Sequence, residues 1–500
     1  MPADVPPADS STAVATPPPT SSVDRYFAIT ARGSNLSREV RGGLVTFFSM
    51  AYIIALNPLI IGTATDAQGL LISGLTPTPE NQATTIGMVA AATALVAGVM
   101  TILMGVVGRY PVAIATGLGL NALLAYVIAP TMTWPQAMGL VVWEGIIILV
   151  LVLTGFRTAV FRAVPRSLRA AISVGIGLFI ALVGFIDGGI IRKPPGTAAL
   201  ELGIGGSLIG WPMFVFVVGL LLVAVLSALK VRGALLISII ASTVIAVIIE
   251  AVAHVGGRTD ANPHGWALNV PTIQDLVALP NFGLIGRVDL IGAFAGANFG
   301  TVVMLVLLIF SLLLADFFDT MGTVVAVGAE GHLLQHDGNP PHLTGILVVD
   351  SLSAVAGGVG SVSSNTTFIE SASGVAEGAR TGVANLVTGA AFLLATFLAP
   401  LINVVPSEAV TPVLVFVGYL MMGGVRVIDW DDIEDGLPAF LTVALMPFAF
   451  SITAGIGAGF IFFVVLKVVR GKAREVHPLM YVVALLFVVY FGQGLITALL

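Results

Sequence analysis

Apolar runs of about twenty residues follow one another along almost the whole 500-residue chain, and they restrict the possible folds more than any other feature. In a bilayer only α-helices and closed barrels satisfy every backbone hydrogen bond, and barrel strands give short alternating segments. Here the runs are continuous, with a mean hydropathy of +1.04, 57% hydrophobic and 10% charged residues. The pattern predicts an all-α polytopic membrane protein.

We count about 14 spans. The segment from Pro438 to Val469 is either one tilted helix or a hairpin that turns at the glycines between Ala454 and Gly459, and a hairpin raises the count by one. The predicted spans begin near Leu44, Thr84, Pro111, Gln136, Ala170, Leu208, Gly233, Thr301, Gly345, Ser361, Gly382, Ser407, Pro438 and Pro478.

Basic residues cluster in loops that fall on one side of this arrangement, which the positive-inside rule assigns to the cytoplasm. The N-terminus is then cytoplasmic, and residues 1–22 form a disordered tail rich in Pro, Ser and Thr. The arginine excess over lysine suggests a bacterial inner (plasma) membrane. Lys467 to Arg474 lie inside only if 438–469 is a hairpin. The other basic residues are Arg25, Arg32, Arg38, Arg41, Arg157, Arg162, Arg166, Arg169, Lys230 and Arg232.

Two short patterns recur in the same order in the two halves of the chain. Phe48-Ser49 followed by Asn57 recurs as Phe310-Ser311 followed by Asp319, and the pair Pro165 and Gly177 recurs as Pro406 and Gly418. Each half holds about seven spans, and an odd number turns the second half upside down in the membrane. The sequence therefore predicts a 7+7 inverted repeat, as in many secondary transporters.

Two segments differ from ordinary spans. Tyr110 to Ala129 begins with Pro and β-branched residues and breaks at Gly117 and Gly119, and Ser361 to Gly378 is short and polar. Each segment predicts a short strand that leads into a half-helix. Non-helical backbone is tolerated at membrane depth only where protein surrounds it. They occupy spans 3 and 10, so they mark the expected binding site.

Acidic residues inside the predicted spans indicate a polar cavity. Asp316 and Asp319 lie in the apolar segment Thr301 to Val327, where an ionised carboxylate costs roughly 2.5 to 3.5 kcal/mol even on the lenient insertion scale. Their spacing places both on one face of a helix, so we expect them to point to the same place. The alternative is a helix-packing hydrogen bond. Glu144 and Asp350 are also intramembrane acids, for which we favour structural pairing.

The broken segments carry further candidate residues. Glu370 follows the strand-like stretch that contains Thr367, at the start of a half-helix, where the helix dipole favours an acid. Asn121 has an amide that both donates and accepts hydrogen bonds, and Phe368 has a ring that can cover a planar ligand. The structural alternatives are helix capping for Glu370 and Asn121 and core packing for Phe368.

Several function classes are excluded. The chain has no cysteine, hydrolase motif, phosphate-binding loop or nucleic-acid footprint, and its histidines lack partners at metal-ligand spacing. We therefore expect a transporter without cofactors or metals, energised by an ion. An anion exchanger would need Arg or Lys at the broken helices, a channel would need a continuous polar pore, and an intramembrane hydrolase would need a base beside Ser363 or Ser364.

Four segments carry a resemblance to a known family: REVRGGLVTFFSMAYIIALNPLIIG, GLGLNALLAY, ADFFDTMGTVVAVG and NTTFIESASGVAEGARTG. They resemble the adenine–guanine–hypoxanthine permeases, the AzgA-like branch of the nucleobase/ascorbate (xanthine/uracil permease) transporters. Uracil and xanthine relatives have Glu-His where this chain has Asp319-Thr320, and a further His in place of Thr323. This departure favours the purine branch.

The resemblance implies a core domain (spans 1–4 and 8–11, residues 38–155 and 287–400) and a gate domain (spans 5–7 and 12–14, residues 156–256 and 401–500). It also implies a possible homodimer through the gate domain. The substrate-binding residues would be Asp319, Glu370, Asn121, Gly119, Phe368 and Thr367, and Asp316, Asp319 and Glu370 would couple protons. The resulting hypothesis is purine import by proton symport with alternating access. The alternatives are a uracil/xanthine permease or a sulfate/bicarbonate transporter of the same fold.

Overall fold

A computed structural model describes residues 21–155, 164–193, 200–259, 261–267, 269–272, 277–335 and 339–499. Residues 1–20 of the predicted tail (1–22), and Arg157 and Arg162 of the predicted basic loop, lie outside these ranges, whereas Ser22 begins a helix. Within them, ten helices of at least 18 residues are apolar enough to cross a bilayer. The chain is a multi-pass membrane protein with a mostly helical fold.

The described residues form α-helices and short β-strands. Before the middle of the chain they are α1 (Ser22–Phe27), α2 (Leu36–Met50), α3 (Ile53–Ile61), α4 (Pro79–Leu103), β1 (Ile114–Thr116), α5 (Leu118–Leu123), α6 (Trp134–Leu153), α7 (Arg166–Asp187), β2 (Ile191–Arg192), β3 (Glu201–Leu202), α8 (Trp211–Ala228) and α9 (Ala234–Ala253). After it they are α10 (Phe299–Glu330), α11 (Leu343–Val359), β4 (Asn365–Thr367), α12 (Ser371–Ala376), α13 (Gly382–Ala395), α14 (Ser407–Met421), α15 (Ile433–Phe448), α16 (Ile452–Val469) and α17 (Pro478–Leu499).

The two broken segments meet at the centre of the molecule. β1 pairs antiparallel with β4, with Ile114 opposite Thr367 and Thr116 opposite Asn365, and every residue of both strands is buried. The Phe368 amide donates to the Ala113 carbonyl at 3.0 Å and extends the pairing. Because each strand satisfies the other's backbone groups, extended chain is tolerated at this depth. The predicted strand and half-helix in each segment are therefore present, as β1–α5 and β4–α12.

Helix packing divides the helices into two sets. In one set, α11 packs on α6, and α13 packs on α4 and α2. In the other, α7 packs on α14 and α15, α8 packs on α14 and α9, and α15 packs on α16. Glycines allow the closest of these approaches: a Cβ on Gly382 would lie 2.0 Å from the Gly105 carbonyl oxygen. Small residues at helix contacts are typical of membrane proteins.

The segment 438–469 is a hairpin. The chain reverses between α15 and α16 at Phe450, which has a left-handed backbone (φ 49°), and Ser451 caps α16 by accepting from the Ala454 amide. Glu434 at the start of α15 binds Lys467 at 2.6 Å and Lys472 at 2.7 Å, so both helix ends lie on one side.

The expected turn at the glycines between Ala454 and Gly459 is wrong. These glycines lie within α16, where they allow it to approach α15: a Cβ on Gly455 would lie 2.7 Å from the Thr442 carbonyl oxygen. Glycine at this spacing therefore marks close helix packing and not a chain reversal. The turn falls four residues earlier, at a position that the sequence does not mark with glycine.

Candidate functional site

A cavity of about 960 Å³ lies where the two helix sets meet, beside the β1–β4 pair. Its size suits a small organic ligand. The lining comes from α5, α7, α10, α14 and the segment from β4 to α12. Five of the predicted site residues line it: Gly119, Asp319, Thr367, Phe368 and Glu370. At its other end the cavity reaches Arg166 and Arg169 at the start of α7.

Two carboxylates line the same cavity. Asp319 projects from α10 and is exposed to the cavity, while Glu370 is half-buried at the junction of β4 and α12. The two groups are close enough to interact electrostatically. Together they present carboxylate oxygens that can accept hydrogen bonds from a ligand, which suits a partner with several N–H groups.

Tyr52 is a site residue that sequence reasoning missed. It lies between α2 and α3, lines the cavity, and donates from its hydroxyl to Glu370 Oε1 at 2.6 Å. Its ring also lies 6.4 Å from the ring of Phe368, centroid to centroid. A single tyrosine in an apolar segment gives no signal of its own, because its partner is far away in the chain. The structure therefore adds a positioned hydroxyl to the acidic pair.

Asp316 does not share the cavity with Asp319, contrary to the expectation that both point to the same place. It is fully buried behind the lining, near Asp350 of α11 and Glu144 of α6. Residues three apart on an α-helix differ in direction by about 60°. Since α10 has the cavity on one side and α6 on the other, that angle suffices to separate the two aspartates.

Asn121 is also behind the lining. Its amide nitrogen donates to Thr116 Oγ1 at 3.2 Å, so it ties α5 to β1. Gly119 does line the cavity, and a Cβ there would lie 2.5 Å from Ile176 Cγ2 on α7. Asn57, the predicted repeat partner of Asp319, donates to Thr93 Oγ1 at 2.8 Å and to the Val362 carbonyl at 3.2 Å. Both asparagines hold the broken segments in place.

Sequence comparison identifies the family. The Permease family matches residues 37–463. The guanine/hypoxanthine permease PbuG of Bacillus subtilis is 37% identical over 468 residues, which is 93% of this chain and 98% of PbuG. The adenine permease AdeP of Escherichia coli is 35% identical over 470 residues, covering 93% of this chain and 95% of AdeP.

Structural comparison agrees on the fold. The transmembrane domain of a cyanobacterial bicarbonate transporter, BicA, superposes with a TM-score of 0.57 at 16% identity, covering 84% of this chain and 97% of that domain. At this identity the likeness concerns the fold alone. The resemblance found in the sequence is confirmed. The chain is a transporter and not an enzyme, and it belongs to the Permease family, among the nucleobase/ascorbate transporters.

Proposed function

We propose that this chain imports purine nucleobases (adenine, guanine or hypoxanthine) by proton symport with alternating access. The carboxylates Asp319 and Glu370, which line one cavity, carry the proposal, because a purine offers N–H groups from which two carboxylates can accept hydrogen bonds. The relatives PbuG and AdeP are named as guanine/hypoxanthine and adenine permeases, which supports the same substrate class.

The other lining residues fit a planar, neutral ligand. Phe368 and the Tyr52 ring lie together on the lining, where they can cover the face of a base. Thr367 lines the cavity beside Phe368 and is itself almost fully buried. Gly119 lets α5 approach α7 beside the site, and Asn121 positions α5 from behind.

In the proposed mechanism, a core domain (38–155 and 287–400) rocks against a gate domain (156–256 and 401–500). The two helix sets support this division. In the core set, the contact of α11 with α6 corresponds to that of α4 with α13. In the gate set, the contact of α15 with α7 corresponds to that of α8 with α14. Such matched pairs are what two inverted repeats of seven spans would give. α17 then follows as an additional helix of the gate domain.

We further propose that the cavity is open to the cytoplasm in this conformation. It reaches Arg166 and Arg169, which begin α7 on the side where basic residues cluster. The hairpin of α15 and α16 adds support, because it places the basic residues Lys467 and Lys472 beside Glu434, at the start of α15. We place the protein in a bacterial inner membrane with a cytoplasmic N-terminus, as a homodimer through the gate domain.

Uptake of labelled adenine, guanine, hypoxanthine, uracil and sulfate, with and without a protonophore, tests the proposal. We expect uptake of at least one purine, inhibited by the protonophore. Preferred uracil uptake would support a uracil/xanthine permease, and sulfate uptake would support an anion transporter of the same fold. Arg166 and Arg169 would then be the anion-binding groups.

Variants connect the activity to the cavity. We expect Asp319→Asn and Glu370→Gln to lower purine uptake at least tenfold, because each removes an acceptor and a charge from the site. Glu330→Gln is the matched control, since Glu330 is an exposed carboxylate at the end of the same helix as Asp319. Normal pH-dependent uptake by Glu370→Gln would remove Glu370 from the mechanism.

A further inference from the structure

Behind β4 lies a second group of acids that does not line the cavity. It consists of Glu144 on α6, Asp316 on α10 and Asp350 on α11, which are all buried and interact electrostatically. Asp319, which lies on the same helix, also interacts electrostatically with Asp316. Within the described part of the chain, neither Glu144 nor Asp316 forms a salt bridge.

The carboxyl group of Glu144 lacks a partner for one of its oxygens in the part of the chain that the structure describes, which indicates a bound proton. Its Oε1 accepts from Ser364 Oγ at 3.2 Å, but its Oε2 is buried and has no hydrogen-bond partner among the described residues. A buried carboxylate requires a positive partner or a proton. In the described ranges, no three acidic or histidine side chains converge as metal ligands would. A proton therefore fits this group better than a metal ion.

Two threonine hydroxyls connect this group to the cavity. Thr366 lines the cavity, and its Oγ1 lies 2.8 Å from Thr320 Oγ1. Thr320 Oγ1 in turn donates to Asp350 Oδ1 at 2.9 Å. A hydroxyl has one proton to donate. Since Thr320 donates to Asp350, Thr366 must donate to Thr320.

We propose that Glu144, Asp316 and Asp350 hold the transported proton, and that Thr366 and Thr320 conduct it between this acid group and the substrate cavity. The proposal rests on the proposed function. A proton that arrives from water in the cavity bonds to the Thr366 oxygen, the Thr366 proton moves to Thr320, and the Thr320 proton moves to Asp350. One proton is delivered, each hydroxyl keeps one, and both hydrogen bonds reverse direction.

This arrangement separates the tasks of the two acidic groups. Asp319 and Glu370 contact the cavity and hold the base, whereas the proton resides one layer behind β4. Substrate exchange, which requires no net proton movement, then needs only the first group. Accumulation against a gradient needs both.

The experiment uses the purified full-length protein in liposomes, with the membrane potential clamped by potassium and valinomycin. One assay measures exchange of labelled purine at equal pH, using whichever of adenine, guanine or hypoxanthine the unmodified protein takes up. The other measures accumulation with the outside one pH unit more acidic. Symport of one proton per base gives about tenfold accumulation, because one pH unit is equivalent to a factor of ten.

Thr320→Val removes the hydroxyl without changing the side-chain shape, and Thr320→Ser retains it. We expect Thr320→Val and Glu144→Gln to keep exchange within about twofold of the unmodified protein and to lose accumulation, and Thr320→Ser to accumulate normally. Ser311→Ala is the matched control, because Ser311 has a buried hydroxyl on the same helix that donates to the Leu307 carbonyl of its own helix.

Tenfold accumulation by both Thr320→Val and Glu144→Gln would overturn the proposal. Loss of exchange by both would also overturn it, since the acid group would then serve the structure of the binding site. The proposal would also be overturned if purine accumulation by the unmodified protein followed a sodium gradient and not a pH gradient. Absence of exchange for every purine in the unmodified protein would instead refute the proposed function.

Discussion

Tyr52 and Glu370 lie 318 positions apart in the chain and are joined by a hydrogen bond of 2.6 Å. The phenol proton fixes one carboxylate oxygen and leaves the other for the cavity. A hydrogen bond to a charged group contributes about 1.5 to 3 kcal/mol. We therefore expect Tyr52→Phe to raise the KM for purine uptake about tenfold or more.

The control for this variant is Tyr419→Phe, which removes the hydroxyl of a largely exposed tyrosine on α14. It should leave KM unchanged. Initial uptake rates over a range of purine concentrations measure both variants. An unchanged KM in Tyr52→Phe would show that the Tyr52 hydroxyl does not position Glu370 for the substrate.

Gly119 is expected to tolerate no side chain. A Cβ would lie 2.5 Å from Ile176 Cγ2, and overpacking of this kind costs about 1 to 3 kcal/mol. Gly119→Ala should lower purine uptake severalfold, and Ile176→Ala in the same chain should restore part of it. Gly87→Ala on α4, where a Cβ would meet no described residue within 4 Å, is the control. Equal uptake by Gly119→Ala and Gly87→Ala would contradict the close packing of α5 on α7.

Glu434 precedes the predicted span at Pro438 and anchors the hairpin of α15 and α16. Hydrogen bonds from Lys467 and Lys472 lower the pKa of Glu434 from 4.5 to about 2. Since the folded-state pKa is depressed, this stabilisation is present above about pH 4.5 and is lost as the pH falls towards 2. Glu434→Gln should lower the melting temperature of the purified protein at neutral pH.

The pH dependence provides the decisive comparison. The difference in melting temperature between the unmodified protein and Glu434→Gln should shrink between pH 4.5 and 2. Asp431→Asn, at an exposed carboxylate in the same acidic loop, should melt as the unmodified protein does. A difference that is independent of pH would mean that the charge of Glu434 does not stabilise the hairpin.

The hairpin also predicts the side of each loop. The chain has no cysteine, so single cysteines can be labelled without background. Arg474→Cys, after α16, should react with a membrane-impermeant thiol reagent only in permeabilised cells. Glu80→Cys, an exposed position at the start of α4, should react in intact cells. Reaction of Arg474→Cys in intact cells would reverse the proposed orientation of the hairpin.

Local patterns predicted the elements of the fold well. Proline and β-branched residues ahead of Gly117 and Gly119 indicated a strand and a half-helix, and β1 and α5 follow that pattern. The hairpin turn was misplaced because glycines in α16 serve helix packing. Local sequence does not distinguish these two uses of glycine, since the difference depends on what lies opposite.

The site was predicted less completely, for a similar reason. The sequence singles out Asp319 and Glu370 because an acid within a predicted membrane span is costly. Asp316 lies apart from Asp319 because only one side of α10 lines the cavity. The spacing of residues along a helix does not show which side that is. Tyr52 is significant only because of Glu370, so its role becomes visible only in three dimensions.

The pairing of β1 with β4 has a consequence for how the protein is made. Ile114 finds its partner, Thr367, only after most of the chain has been synthesised. Until then β1 has no strand to satisfy its backbone groups, although the helices around it have already entered the bilayer. During synthesis the first half of the chain therefore waits with β1 unpaired, until β4 arrives and supplies its partner strand.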